Sequence, residues 1–79
     1  MVNQREIKAI VNYKEKGWQT VFMGAPDLLL FKSNEKGEIT EVAFREIKSP
    51  TDKLRIEQHI WRKVLKDFLK CDYKVKVIE

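Results

Sequence analysis

A short apolar run, Leu28-Leu29-Leu30-Phe31, constrains this chain more than any other feature, because it is entered directly from Pro26-Asp27. Four apolar residues without a polar gap predict a strand covered on both faces, as in a sheet with helices packed against it. A second apolar run, Val42-Ala43-Phe44, leads into Glu46-Ile47-Lys48, with Glu46 nineteen residues after Asp27. Ser33–Gly37 between them is a polar turn, and Ile39–Lys48 resumes strand character, so the two segments form a long hairpin. A turn centred near residue 36 sets residues whose numbers sum to roughly 73 opposite one another, which places Asp27 near Glu46. Along the second strand, Phe44, Glu46 and Lys48 share one face, while Arg45 and Ile47 take the other.

The flanking segments supply the layers this hairpin needs. Asn3 to Lys16 reads as an amphipathic helix with Ile7, Ile10 and Val11 on one side, stopped at Gly17. Glu6, Ile10 and Tyr13 also share a face, so an acid sits among inward residues. Trp18–Met23 is a short strand ending at Gly24-Ala25-Pro26. Ser49-Pro50-Thr51-Asp52 breaks the chain, since a residue before proline is pushed away from helical angles. A second helix runs from Leu54 or Ile56 to Leu69, with Ile60, Trp61, Val64, Leu65, Phe68 and Leu69 as its apolar stripe. Trp61 and Phe68 are expected in the core. Tyr73, Val75 and Val77 alternate with Lys74 and Lys76 in a final strand. The expected fold class is α/β (α+β), in the order α-β-β-β-α-β, with a mixed sheet flanked by helices.

Composition narrows the chemistry. Seventy-nine residues make one small domain, expected over residues 1–79, which buries ~60% of its unfolded surface and gains from association. Sixteen Lys+Arg against twelve Asp+Glu leave a net charge of +4, a modest attraction for polyanions. One cysteine, Cys71, and one histidine, His59, leave too few groups for an internal disulfide, a structural zinc site or a Ser-His-Asp triad. No membrane span or signal-peptide core is present, and a reducing, cytoplasmic setting is expected.

What remains is carboxylate chemistry. Two acids flanked by apolar residues need a counter-charge to be buried. Hard oxygen ligands suit Mg²⁺ or Mn²⁺, which bind through a few carboxylates plus substrate phosphate and acidify a bound water. A lysine two residues from one acid can stabilise developing negative charge or position that water. Asp27, Glu46 and Lys48 together therefore point to phosphodiester hydrolysis.

Gly24-Ala25-Pro26-Asp27, then Glu46-Ile47-Lys48, then Leu54 with Gln58 and Trp61, resembles the PD-(D/E)XK nucleases, and most closely their VRR-NUC domain. The resemblance extends from Glu6 to the last strand and implies a restriction-endonuclease-like core. It implies that Asp27 and Glu46 ligate metal, that the Ile47 carbonyl completes the inner shell, and that Glu6 adds an acid from the first helix. It further implies that Lys48 contacts the scissile phosphate or attacking water and that Gln58 reaches back to the site. Minimal members of the family look like homodimeric, structure-selective endonucleases acting on branched DNA, Holliday junctions included, and leaving a 5′ phosphate. DNA, branched or duplex, and a second copy of the chain are the partners implied. Two other readings fit the same residues: a non-catalytic nucleic-acid-binding module, and an accessory subunit that binds protein through Trp18, Phe22 and the last strand. Lys14, Lys16, Lys53, Arg55, Arg62 and Lys63 are candidate phosphate contacts in either nucleic-acid reading.

Overall fold

The computed structural model describes residues 3–24 and 26–79; Ala25, inside the Gly24–Asp27 motif, lies outside them. Helix α1 (Gln4–Glu15) is followed by strands β1 (Gln19–Phe22), β2 (Leu28–Ser33) and β3 (Ile39–Lys48). Helix α2 (Ile56–Arg62) continues as a π-helical stretch (Lys63–Phe68) before strand β4 (Asp72–Val77). The four strands form one mixed sheet in the order β1-β2-β3-β4, with β4 parallel to β3 and the other pairs antiparallel. The order and the mixed sheet agree with the restriction-endonuclease-like expectation.

Local chemistry explains the boundaries. The Asn3 side chain accepts the Glu6 N–H at 2.9 Å and starts α1. At the other end Gly17 takes a φ of 91°, while Gly17 and Trp18 donate to the carbonyls of Lys14 and Tyr13. Such a doubly bonded exit satisfies two carbonyls that the helix leaves open. In the hairpin, Leu28 pairs with Arg45 and Leu30 with Ala43, the register set by the turn, until a bulge at Lys32/Ser33 shifts it by one.

The core lies between α1 and one face of the sheet. Ala9 and Tyr13 from the helix meet Leu28, Leu30, Ala43 and Ile47, with Ile10, Trp18 and Ile78 packed around them. Arg45 is buried on this face too: its guanidinium donates to both Asp72 carboxylate oxygens, at 2.9 and 3.3 Å, and lies over the Tyr13 ring. A buried cation requires such a partner.

Four expectations are corrected. The inward face of α1 is Glu6, Ala9 and Tyr13, whereas Ile7 and Val11 are half exposed. The run Leu28–Phe31 is not sealed on both faces: Leu28 and Leu30 are fully buried, but Leu29 and Phe31 only partly. The apolar stripe of the second helix is the largest departure. Leu65 alone is buried, and Ile60, Trp61, Val64, Phe68 and Leu69 are exposed, so Trp61 and Phe68 are not core residues. Periodicity assigned these residues to a common face, but in the fold only Leu65 of that face is covered. Nor does the second helix run as one α-helix. Leu69 donates to Val64 and Cys71 to Leu65, and this widened turn accompanies a positive φ of 58° at Lys70.

Candidate active site

The hairpin register puts the start of β2 against the end of β3, and the site forms where their pairing stops. Extending the ladder past Leu28–Arg45 would set Pro26 against Ile47, but proline has no N–H to give. The Asp27 side chain takes over: its Oδ2 accepts the Ile47 N–H at 2.8 Å. The Asp27 carbonyl accepts the Met23 N–H at 2.9 Å, which fixes the loop after β1. In an antiparallel strand the N–H and C=O of one residue point the same way, so the Ile47 carbonyl faces the Asp27 side.

Glu46 is only 2% exposed. Its Oε1 accepts the Gln58 amide at 2.6 Å, while its Oε2 is buried with no partner among the described residues. Gln58 is committed at both ends, because its Oε1 accepts the Arg55 N–H at 2.8 Å in the first turn of α2. The helix start thus aims the amide that holds Glu46. Glu6 is buried on the α1 side, and its Oε2 is a second oxygen without a partner. Lys48 is half-buried, with its carbonyl bonded to the Ile78 N–H.

A cleft of about 230 Å³ gathers all six residues expected from sequence: Glu6, Asp27, Glu46, Ile47, Lys48 and Gln58. Asn3, Gly24, Asp52 and Arg55 complete its wall. Sequence reasoning placed Asp52 only in the chain break. Its carboxylate accepts the Ser49 N–H at 3.3 Å, and the bonds to Ser49 hold its pKa below the usual carboxylate range. The signal was there in Ser49-Pro50-Thr51-Asp52, a sequence suited to a side-chain-closed turn.

The electrostatics are those of crowded acids. Burial pushes the Glu46 carboxyl up to about 7, and the neighbouring Asp27 charge pushes the same way. Lys48 and Gln58 oppose the rise. Burial raises Glu6 too, again with help from Asp27. Such a group of oxygens, rich in charge and short of donors, suits a hard divalent cation. Among the described residues, no three Asp, Glu, His or Cys side chains close into a metal cage. A cation here would draw on Asp27 and Glu46, with the Ile47 carbonyl, water and phosphate filling its shell.

A hairpin that delivers two acids and a lysine to one cleft, under a mixed sheet flanked by helices, is the layout of a PD-(D/E)XK nuclease-like domain. The VRR-NUC domain family model matches residues 1–79, and the chain belongs to that family. Comparisons with curated proteins and with solved structures gave no match. Family membership supports a nuclease-type hydrolase with DNA as its substrate. No helix among the described residues is long and apolar enough to cross a membrane.

Proposed function

We propose that this chain is a Mg²⁺- or Mn²⁺-dependent DNA endonuclease that selects branched structures. The observation that carries the proposal is Glu46: a buried carboxylate beside Asp27, with one oxygen left unbonded in a cleft that also holds Lys48. A fold tolerates this repulsion where a cation relieves it. When bound, the metal supplies charge neutralisation and a more acidic water.

The chain's own residues do the rest. Asp27 and Glu46 hold the cation, and the Ile47 N–H keeps Asp27 oriented toward it. Gln58 fixes the Glu46 rotamer, so the pair meets the substrate without reorganising. Lys48 stabilises the negative charge that builds on the phosphate as the bond breaks. Glu6 adds a third acid at the α1 edge of the cleft.

Purified protein is expected to cut labelled branched duplexes with Mg²⁺ or Mn²⁺ and to leave them intact in chelator. Lys48→Met, which keeps the chain length and removes the charge, should lower the rate by about 10²-fold. Metal-independent cleavage, or a fully active Lys48→Met variant, rules the assignment out.

The enzyme acts as a homodimer in this reading. The exposed apolar side chains of α2 and its π-helical extension support it, with Phe68 at 81% exposure and Ile56 at 77%. Surfaces of this kind mark interaction sites more often than solvated faces. Light scattering should give twice the chain mass, and Phe68→Asp should halve it; a wild-type monomer at micromolar concentration removes the dimer.

A further inference from the structure

A second cavity, of about 380 Å³, opens where α2 and its π-helical extension meet the edge strand β4. Arg62 and Lys66 line it from the helix and Tyr73 and Val75 from the strand; Lys74 borders it from between them, its side chain alternating to the other face of the sheet. None of the three cations is paired with a carboxylate among the described residues, where the ion pair formed is Arg45–Asp72. Tyr73 is 3% exposed, yet its hydroxyl has no hydrogen-bond partner there. A buried hydroxyl left unbonded costs free energy, so its persistence points to a ligand that completes it.

The chemistry of the lining selects the ligand. Every polar side chain facing the cavity can donate, and no carboxylate or amide oxygen accepts. Base edges present donors as well as acceptors, whereas a phosphodiester presents acceptor oxygens and a negative charge. Val75 offers an apolar surface of the kind a sugar packs against. Burial first, then the Glu46 charge, raises the Tyr73 phenol, while Arg62 draws it down, so the hydroxyl lies within the field of both sites.

Position along the helix ties this cavity to the acidic cleft. Gln58 and Arg62 are four apart within α2, which sets them on one helix face, and Lys66 follows on the π-helical extension, beside Arg62 at the cavity. One such step is about 6 Å of helix rise, comparable with the step from one backbone phosphate to the next. A strand whose scissile phosphate sits beside Gln58 therefore meets Arg62 and then Lys66 as it leaves the cleft.

We propose that Arg62, Lys66 and the Tyr73 hydroxyl form a binding pocket for a single phosphodiester, one or two nucleotides from the phosphate held at the acidic cleft. This rests on the nucleic-acid part of the proposed function but not on its catalytic part. Binding is therefore measured in chelator, by fluorescence anisotropy of a labelled duplex across a salt series. Arg62→Ala and Lys66→Ala are each expected to flatten the slope of log affinity against log salt by about 0.9. Tyr73→Phe should weaken binding about tenfold with the slope unchanged, because it removes a neutral donor. Lys36→Ala, in the β2–β3 turn, should bind as wild type. Free inorganic phosphate should compete poorly, since it engages one pocket and the strand engages both.

Slopes unchanged by Arg62→Ala and Lys66→Ala, or wild-type affinity in Tyr73→Phe, overturn the pocket. So does inorganic phosphate that displaces the duplex at concentrations where sulfate of matched ionic strength does not. Pocket-dependent binding without Mg²⁺-dependent cutting sustains the pocket and sinks the nuclease assignment. Cutting that ignores all three variants does the reverse.

Discussion

Glu46→Gln is expected to abolish metal-dependent cleavage, by about 10³-fold, and to make the metal-free protein more stable above neutral pH. Both effects have one cause. Glu46 is buried beside Asp27, and its carboxyl titrates at about 7 rather than at 4.5. The folded chain therefore binds a proton across this interval that the unfolded chain has already released. Its contribution to stability is full below about pH 4.5 and is lost as pH rises through 7, by at most about 3 kcal/mol. Glutamine carries no charge to bury, keeps an oxygen for the Gln58 amide and brings an N–H for Asp27. In chelator, urea midpoints of the wild type should fall between pH 5 and 8, while those of Glu46→Gln fall much less, the remainder coming from Glu6. Mg²⁺ should raise the wild-type midpoint at pH 8 and leave the variant unmoved. Equal pH slopes for both proteins would move the strain away from Glu46.

Leu30→Ala is expected to cost about 2–5 kcal/mol. Leu30 is fully buried between α1 and the sheet, opposite Ala43, and truncation leaves a hole that neither element can close. A chain of this length commands only about 4–12 kcal/mol in all, at ~0.05–0.15 kcal/mol per residue. The melting temperature should drop by more than ~10 °C. Phe68→Ser gives the contrast. That ring is the most exposed of the large apolar groups, so its loss from an isolated chain should stay within about 0.5 kcal/mol. A large destabilisation by Phe68→Ser that grows with protein concentration would instead report burial in the dimer.

Most of what positions the site is legible in the sequence. Turn chemistry at Ser33–Gly37 fixes the hairpin register, and register alone brings Asp27 to Glu46, because a strand's period of two leaves little freedom. Gln58 was readable only through its resemblance to a family motif, since a glutamine near a helix start has no pattern of its own. Layer coverage was not legible. The stripe from Ile60 to Leu69 has helical spacing, but spacing says which residues share a face and nothing about whether a partner element covers it. Arg45 was opaque for a related reason. A charge within an apolar strand looks like a solvent-facing residue until Asp72, 27 positions away, arrives to pair with it. The π-helical stretch has no compositional signature at all, and the Tyr73 hydroxyl became conspicuous only once its surroundings were known.

The hairpin that carries both acids is a local structure, and this sets an order of events in folding. Asp27 and Glu46 are joined by one turn, so β2 and β3 can pair in about 1–10 μs, before the crossover that adds β4 in parallel. Their repulsion is then felt early, by a nucleus that has not yet received Gln58 or Glu6. The acidic site should slow folding rather than hasten unfolding. Glu46→Gln would accordingly speed refolding at pH 8 and leave the unfolding limb of the chevron in place; an effect confined to the unfolding limb would put the meeting of the acids after the barrier. A divalent cation present from the start would act as a folding accelerator for the hairpin that later presents it to DNA.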